Sequence, residues 1–405
     1  MKIAFYVANE NIGNVDFRKV DEGNPGVGGS EYSAILIASQ LCARGYIDCI
    51  MLCDKPGIFP SSLRWNACKD FIGAIKYSNQ NKIDFLVVDG KLLTKDIVCR
   101  FNKVKFVGWA NTFIKDDSKD FISRMNNVIK IVNVGKEELE QTKGHPIYNK
   151  SCYIFNAVPI SVLSHYPNLT PNNLRSRNVC YIGSLHAAKG FQYLAKAWPS
   201  IIKEIPGAQL YVIGSGKLYG RNAKLGKWGI ASFEFEREFI PFITEDGKIL
   251  NSVHFLGIMG NEKYDILEKC KVGVPNPSGV SETFGYTAVE MQFMDCQVTT
   301  IKCAGYIDTV CDKSNLYENT DQLASYVIRL LKNNCYDKKA TMDYIKQFSI
   351  ENVIKEWEKL FLNIELDNLI VKDVITLEII LNTFIYYYNR LRTYIKKLVK
   401  WMLKK

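Results

Sequence analysis

Residues 178–213, NVCYIGSLHAAKGFQYLAKAWPSIIKEIPGAQLYVI, carry the clearest indication of the fold. The first five and the last five residues are mostly apolar, which is typical of buried strands. Between them, Phe191–Glu204 repeats apolar residues at the three- and four-residue spacing of an amphipathic helix. A strand, a helix and a strand in this order predict two parallel strands joined by a crossover helix.

The same alternation continues on both sides of this unit. Toward the C-terminus it predicts strands at Val253–Leu256, Val272–Val274 and Gln297–Ile301, a helix at Lys263–Lys269 and a further helix from Phe284. Toward the N-terminus it predicts strands at Lys2–Val7, Ile47–Cys53, Phe85–Val88, Val104–Trp109 and Val128–Val132, and a helix at Ser30–Arg44 that ends at Gly45. Residues Gly220–Leu250 are less regular and predict an insertion or a long loop.

A Pro- and Asn-rich stretch, Ser151–Ser176, interrupts the alternation and predicts a linker. Strands that alternate with helices on both sides of it indicate two consecutive doubly wound α/β domains, each with a parallel sheet. A length of 405 residues agrees with two cores better than with one.

The composition is that of a globular protein, with 47% apolar and 23% charged residues. The twelve cysteines include no Cys-x-x-Cys pair and the four histidines are scattered, so no zinc site is predicted. Residues Met1–Ala8 are typical of a short strand and not of a signal peptide, and no run of eighteen apolar residues occurs. We therefore expect a cytoplasmic protein with reduced thiols.

The net charge of +10 is concentrated at the C-terminus. Residues 383–405 hold seven Lys or Arg and no acidic residue, which leaves +3 for the rest of the chain and argues against a broad nucleic-acid surface. Apolar residues recur there at helical spacing, with the basic residues mostly opposite. The pattern predicts a helix on an anionic membrane surface. The alternative is a helix that packs its apolar face on the protein.

The segment Ser278-Gly-Val-Ser-Glu-Thr-Phe-Gly-Tyr-Thr-Ala-Val-Glu290 predicts a ligand site. It puts the Glu282 carboxylate beside a helix N-terminus and that of Glu290 about two turns further along, on nearly the same side. The helix N-terminus attracts a phosphate, whereas a carboxylate is better suited to hydroxyl groups, so the pair suggests a nucleotide-sugar site. Alternatively, Glu282 only favours the helix dipole and Glu290 is a solvated helix residue.

Three glycine-containing turns are further candidates for phosphate binding. Gly26-Val-Gly-Gly-Ser-Glu31 precedes a predicted helix, but it lies too far beyond the first strand for a dinucleotide fingerprint. In Gly183-Ser-Leu-His-Ala-Ala-Lys189-Gly190, the lysine could neutralise a diphosphate while Gly190 admits close approach. Gly214-Ser-Gly216 is a tight turn after a strand. Each is alternatively a solvated turn, and His186 is interpreted as a loop residue.

The order of these motifs resembles the retaining glycosyltransferases of family 4. The motifs are Gly28-Gly29-x-Glu31, Gly183-x-Leu-x-x-x-Lys189-Gly190, Phe255-Leu-Gly257, Pro277-Ser278 and Glu282-x-Phe-Gly-x-x-x-x-Glu290. The resemblance covers residues 1–362 and is most specific in 178–310. It implies the GT-B architecture, in which two Rossmann-like domains face a central cleft. The implied parts are an acceptor-side domain at 1–165, a nucleotide-sugar domain at 166–347, a crossover helix at 348–365 and a basic extension at 366–405.

The resemblance also implies roles for individual residues. Glu282 would bind hydroxyls of the donor sugar, Glu290 would bind the ribose and Lys189 would stabilise the diphosphate. The backbone of Phe284 and Gly285 would hold the distal phosphate, with Gly28 and Gly29 facing the diphosphate from the first domain. Gly257 and Ile258 would lie near the base, and Ile350–Leu362, with Trp357, would cross back onto the first domain.

Two positions depart from the family. Ser184 stands where an Arg is usual, so a bidentate phosphate contact is missing or comes from another residue, with Arg221 and Lys217 as candidates. Asn111 stands where a His is frequent, and its amide can position a sugar hydroxyl but cannot exchange a proton.

The implied reaction transfers a hexose or N-acetylhexosamine from a nucleoside diphosphate sugar, UDP favoured over GDP, to a glycan or lipid-linked acceptor. No metal or other cofactor is expected, because no Asp-x-Asp cluster of the metal-dependent type is found. With the basic tail, the resemblance implies polysaccharide or glycolipid biosynthesis at the cytoplasmic face of a membrane. The alternatives are a GT-B nucleotide-sugar epimerase and a non-catalytic nucleotide-sugar-binding protein.

Overall fold

The computed structural model describes residues 1–369, together with Phe384 and Tyr388. The strands are β1 Lys2–Val7, β2 Asp48–Cys53, β3 Trp65–Ala67, β4 Phe85–Asp89, β5 Phe106–Ala110, β6 Val128–Asn133, β7 Ser151–Tyr153, β8 Asn178–Ile182, β9 Gln209–Ile213, β10 Thr244–Glu245, β11 Lys248–Ile249, β12 Val253–Gly257, β13 Val272–Gly273, β14 Gln297–Val298, β15 Thr300–Ile301 and β16 Leu316–Tyr317. The α-helices are α1 Gly29–Arg44, α2 Phe71–Gln80, α3 Lys95–Arg100, α4 Asp116–Arg124, α5 Lys136–Glu140, α6 Phe191–Glu204, α7 Phe233–Phe239, α8 Lys263–Leu267, α9 Tyr286–Phe293, α10 Ala304–Thr309, α11 Leu323–Lys332, α12 Lys338–Ile345 and α13 Ile350–Leu369.

Two parallel sheets organise the described part of the chain. The first has the order β3-β2-β1-β4-β5-β6-β7 and the second the order β12-β9-β8-β13-β14. In both sheets the strand order reverses beside the first strand, between β1 and β4 and between β8 and β13. Ligands of such sheets bind at the carboxyl ends of the strands near that reversal. The predicted α/β architecture of two doubly wound domains is confirmed, whereas the predicted amphipathic extension lies outside the described residues.

Two sequence-based assignments are wrong in detail, and a third segment, predicted as an insertion or a long loop, contains some regular structure. The expected linker Ser151–Ser176 begins with β7, a short edge strand of the first sheet, which its polar, Pro-rich context concealed. Residues Gly220–Leu250 contain α7 and the small hairpin β10–β11. The predicted strand Gln297–Ile301 is two short strands that pair in different sheets.

The helix expected to open at Phe284 begins at Tyr286 instead. Gly285 precedes it with φ +81°, a left-handed conformation that ends any helical run from Phe284. Glu282 therefore lies four residues before α9. Glu290 is the fifth residue of α9 and so lies in the second turn, whereas the sequence predicted that it lies two turns into the helix. The segment between the two glutamates is a loop followed by a single helical turn.

The last described helix, α13, packs on the first sheet. Trp357 is fully buried, with ring centroids 5.7 Å from Phe5 on β1 and 4.8 Å from Trp109 on β5. Arg44 at the end of α1 forms an ion pair of 3.4 Å with Glu358. The chain thus passes through the second sheet and returns to the first. Among the described helices, none is both long and apolar enough to cross a membrane.

Candidate active site in the cleft between the sheets

A cleft with a volume of about 390 Å³ opens where the carboxyl ends of the two sheets face each other. Loops after β1, β5 and β7 contribute from the first sheet, and loops after β8, β9, β12 and β13 from the second. Of the residues singled out from the sequence, those lining the cleft are Gly29, Asn111, Ser184, Lys189, Gly214, Ile258, Glu282, Phe284, Gly285 and Glu290. Three others, Gly28, Gly190 and Gly257, are not part of the lining.

Lys189 and Glu282 are in direct contact. Lys189 follows β8 and its Nζ donates to Glu282 Oε2 at 3.0 Å, while Asn276 Nδ2 donates to the same oxygen at 2.8 Å. Burial lowers the pKa of Lys189, but the Glu282 carboxylate and, to a smaller extent, Tyr219 and Cys303 together raise it by more, so the pKa lies above its ordinary value. The Lys189 ammonium and the Glu282 carboxylate therefore lie side by side in the lining of the cleft.

Glu290 is buried and ion-paired. Its Oε1 lies 2.7 Å from Lys263 Nζ and accepts a hydrogen bond of 3.1 Å from the Tyr264 hydroxyl. The alternative interpretation of Glu290 as a solvated helix residue is wrong, because only 5% of its side chain is exposed. Lys263, which also lines the cleft, was missed from the sequence. It sits at the first residue of α8, and only the packing of α8 against α9 reveals its partner.

Of the three asparagines in the first domain's wall, Asn111 and Asn156 have side-chain oxygens without a partner among the described residues. Asn111 directly follows β5, and its backbone carbonyl accepts a hydrogen bond of 2.8 Å from Thr283 Oγ1 of the second domain. The side-chain Oδ1 of Asn111 and that of Asn156 are buried without a partner among the described residues. Asn156, which follows β7, lay in the expected linker and was missed. Both amides can accept a hydrogen bond from a ligand hydroxyl.

The three glycines outside the lining lie close to, or hydrogen-bond with, other parts of the chain. A Cβ on Gly28 would lie 2.3 Å from Glu31 Oε2, and one on Gly190, at φ +71°, would lie 2.4 Å from Ser278 N. Gly190 thus lets the turn after β8 touch the loop that carries Glu282. The Gly257 carbonyl accepts a hydrogen bond of 2.7 Å from Gly214 N. The predicted donor contacts of Gly28, Gly190 and Gly257 stay predictions.

No arginine among residues 1–369 lines the cleft in place of the one that the resemblance led us to expect at position 184. Ser184 is buried, and its Oγ reaches Ser215 O at 3.5 Å. Arg221 Nη2 donates to Gly26 O of the first domain at 2.6 Å, and neither Arg221 nor Lys217 lines the cleft. Within residues 1–369, the cleft wall contains Lys189 and Lys263 and no arginine.

His186 also lines the cleft, although the sequence left it as an ordinary loop residue. Its ring centroid lies 5.8 Å from that of Tyr219. Burial, and next the charge of Lys189, lower the pKa of His186 below its ordinary value. The imidazole is therefore neutral near pH 7 and can donate or accept one hydrogen bond.

The residues of the described part contain no group of three or more His, Cys, Asp or Glu that could hold a metal ion. The expectation of a metal-independent reaction stays a prediction.

Residues 176–333 match the sequence model of the family described as glycosyl transferases group 1. An uncharacterized glycosyltransferase of Haemophilus influenzae is 20% identical over 388 residues, which are 88% of this chain and 99% of the relative. A second one, of Methanocaldococcus jannaschii, is 25% identical over 186 residues, 44% of this chain and 43% of the relative.

Solved structures resemble the whole described architecture. Anabaena Alr3699/HepE, crystallised in complex with UDP and glucose, has a TM-score of 0.63 at 15% identity, covering 90% of this chain and all of that one. A glycosyltransferase from Rickettsia africae has a TM-score of 0.62 at 14% identity, covering 90% and 98%. The chain thus has the GT-B fold of glycosyltransferases. Its second domain carries the sequence pattern of the group 1 glycosyl transferases.

Proposed function

We propose that the protein is a retaining, metal-independent glycosyltransferase of family 4. It transfers a hexose or N-acetylhexosamine from a nucleoside diphosphate sugar to a hydroxyl of a glycan or lipid-linked acceptor. The observation that carries this proposal is the Lys189–Glu282 pair beside the start of α9, with Glu290 in the same cleft. Cation, helix N-terminus and two carboxylates match the phosphates and the two sets of hydroxyls of such a donor.

The donor lies with its diphosphate between Lys189 and the backbone of Phe284 and Gly285. In this arrangement Glu282 accepts hydrogen bonds from sugar hydroxyls, Glu290 from the ribose, and the base lies beside Ile258. UDP is favoured over GDP because the similar HepE structure contains UDP and glucose. The pneumococcal O-GlcNAc transferase GtfA, with a TM-score of 0.52 at 13% identity, was crystallised with UDP and GlcNAc.

The chemistry is electrostatic. The bond from the anomeric carbon to the diphosphate oxygen breaks, and the acceptor oxygen forms a bond to the same face of the sugar. The proton of the acceptor hydroxyl passes to the departing phosphate. Lys189 and the N–H groups at α9 stabilise the negative charge that develops there. Asn111 and Asn156, with free buried oxygens, hold hydroxyl groups on the first domain's side of the cleft.

The acceptor is brought to the cleft at a membrane surface. The basic residues of 383–405, which lie outside the described range, associate with anionic lipid at the cytoplasmic face. The pathway proposed is polysaccharide or glycolipid biosynthesis.

The first test is the melting temperature in the presence of UDP, GDP, ADP or NAD. A ligand at a hundred times its dissociation constant adds ~2.7 kcal/mol, which raises the melting temperature measurably. We expect a rise with UDP and little with NAD. A rise with NAD alone, or no rise with any nucleoside diphosphate, contradicts the proposal. A second assay measures the release of free UDP from a UDP-sugar. Release that occurs only when an acceptor is added indicates a transferase, because neither an epimerase nor a non-catalytic binding protein would show it.

A further inference from the structure

Lys263 is a buried lysine in the wall of the cleft. It is the first residue of α8, and only 5% of its side chain is exposed. Its ammonium lies 2.7 Å from Glu290 Oε1 and 5.1 Å from the centre of the Tyr264 ring. Lysine is almost never buried to this extent without a partner, because removing its charge from water is costly. The contact with Glu290 is that partner.

Both contacts to the Glu290 carboxylate are made at one oxygen. Lys263 and the Tyr264 hydroxyl approach Oε1 from two consecutive residues of α8. An ionised carboxylate has about four lone-pair positions and accepts hydrogen bonds at both oxygens. With Oε1 engaged on the side of α8, Oε2 is the oxygen available for a ligand in the cleft.

We propose that Lys263 is a positioning residue for the ribose of the donor. It holds the Glu290 carboxylate turned so that Oε2 accepts hydrogen bonds from the ribose hydroxyls. This inference rests on the proposed function, in which the cleft binds a nucleoside diphosphate sugar. Lys263 acts through Glu290 and does not itself contact the nucleotide.

The pairing matters because Glu290 has little contact with water. A buried carboxylate without a cation favours its protonated form, which is a poorer acceptor for two hydroxyl donors. Among the described residues, the other titratable groups that face Glu290 are the hydroxyls of Tyr32 on α1 and Tyr286 on α9. Burial raises the pKa of both, so neither changes charge between pH 6 and 9. The charge balance at Glu290 therefore depends on Lys263.

The test is the affinity for UDP, measured by calorimetry from pH 6 to pH 9. Lys263→Met keeps the length of the side chain and removes its charge. We expect UDP to bind about tenfold more weakly, the worth of one hydrogen bond to a charged group, with the loss largest at the acid end. Lys263→Arg keeps the charge and recovers part of the affinity. Lys269→Met, on an exposed lysine just beyond α8, is the matched control and binds as the wild type.

A second comparison separates positioning from direct contact. Glu290→Leu leaves no acceptor for Lys263 to orient, so adding Lys263→Met to it leaves the UDP affinity unchanged if Lys263 acts only through Glu290. A further loss in the double variant shows direct contact and overturns the inference. The double variant also buries no unpaired charge, so this comparison stands even if Lys263→Met alone fails to fold.

The two failures are distinguishable. Wild-type protein that binds none of UDP, GDP and ADP overturns the proposed function and this inference with it. Wild-type protein that binds UDP, with equal binding by Lys263→Met at every pH, overturns this inference alone.

Discussion

At the scale of single residues, Lys189 and Glu282 form one unit. Their contact of 3.0 Å joins two charges that the sequence assigned to different parts of the donor. Because the pair is mostly buried, with side-chain exposures of 22% and 15%, each charge depends on the other before a donor arrives. A nucleoside diphosphate sugar offers each of them a new partner. Its phosphate can bind the Lys189 ammonium, and a sugar hydroxyl can bind the Glu282 carboxylate.

Loss of either charge is expected to slow the reaction. Lys189→Ala and Glu282→Ala should each reduce turnover on the order of a hundredfold, since one such electrostatic contact is worth ~3 kcal/mol. The double variant should lose little more than either single one, because the two side chains act together. The measurements are the rate of UDP release with donor and acceptor, and the melting temperature. Lys196→Ala, an exposed lysine on α6, is the control. Wild-type rates in both single variants would remove these residues from the mechanism.

Glu138 gives a prediction about pH. It is buried on α5, its Oε2 accepts a hydrogen bond of 2.9 Å from Val134 N, and its Oε1 has no partner among the described residues. Burial raises its pKa to about 8, against partial lowering by the Val134 N–H. The folded state therefore holds a proton that the unfolded chain releases. The stability from this group is complete below about pH 4.5 and is lost as the pH rises through about 8.

Glu138→Gln should remove that loss, because the amide stays neutral and still accepts from Val134 N. The melting temperature of the variant, relative to the wild type, should rise steadily from pH 5 to pH 9. The full difference is on the order of 4 kcal/mol. Glu140→Gln, a more exposed glutamate on the same helix, should show no such trend. A difference that stays constant over this range would mean that Glu138 does not titrate there.

At the scale of elements, the short helix α5 of the first domain is capped by a residue of the second domain. The N-terminus of α5 belongs to the first domain, and Glu137 N donates at 2.9 Å to Asp308 Oδ2 on α10 of the second. Burial raises the pKa of Asp308 to about 6, against the opposing effect of the Glu137 N–H. With only five residues, α5 cannot be stable alone, so this contact caps it from outside.

Asp308→Ala should lower the stability by about 1 kcal/mol, the usual cost of a lost helix cap. Asp308→Asn keeps the acceptor oxygen and removes a buried charge, so at pH 8 it should be at least as stable as the wild type. Both are measured as melting temperatures. Equal destabilisation by Ala and Asn would show that the charge matters and the cap does not.

The strands and long helices could be predicted because their apolar spacing is local. Helix α6 and strand β9 have the bounds that the sequence predicted. The start of α9 could not be predicted, because it depends on the left-handed conformation of Gly285. The partners of Glu290 lie on α8, 26 and 27 residues away in the sequence (290 minus 264 and 290 minus 263), and local spacing does not indicate them. The same holds for the buried Oδ1 of Asn156, which has no partner among the described residues. Motif spacing can indicate that Glu282 and Glu290 belong to one site, but not which cations neutralise them.

At the scale of the whole molecule, contacts between the two domains border the cleft. Tyr286 of the second domain contacts Ser33 and lies with its ring centroid 5.7 Å from that of Tyr32, both on α1. Arg221 donates a hydrogen bond to Gly26 O, and Thr283 donates one to Asn111 O. The segment carrying Glu282 is therefore fixed by the first domain as well as by the second.

In the proposed function, the basic C-terminal segment brings the protein to the membrane where it works. The seven Lys and Arg of 383–405 account for most of the net charge of +10. Each basic residue near an anionic bilayer contributes ~1 kcal/mol at moderate salt.

We expect the full-length protein to co-sediment with vesicles containing phosphatidylserine, less so at high salt, and not with purely zwitterionic vesicles. Deletion of 383–405 should abolish binding while UDP still raises the melting temperature. A variant with Lys396, Lys397, Lys400 and Lys404 changed to Gln separates charge from apolar insertion, since insertion alone would persist in high salt. Unchanged vesicle binding after the deletion would mean that the segment packs on the protein and that another surface meets the acceptor.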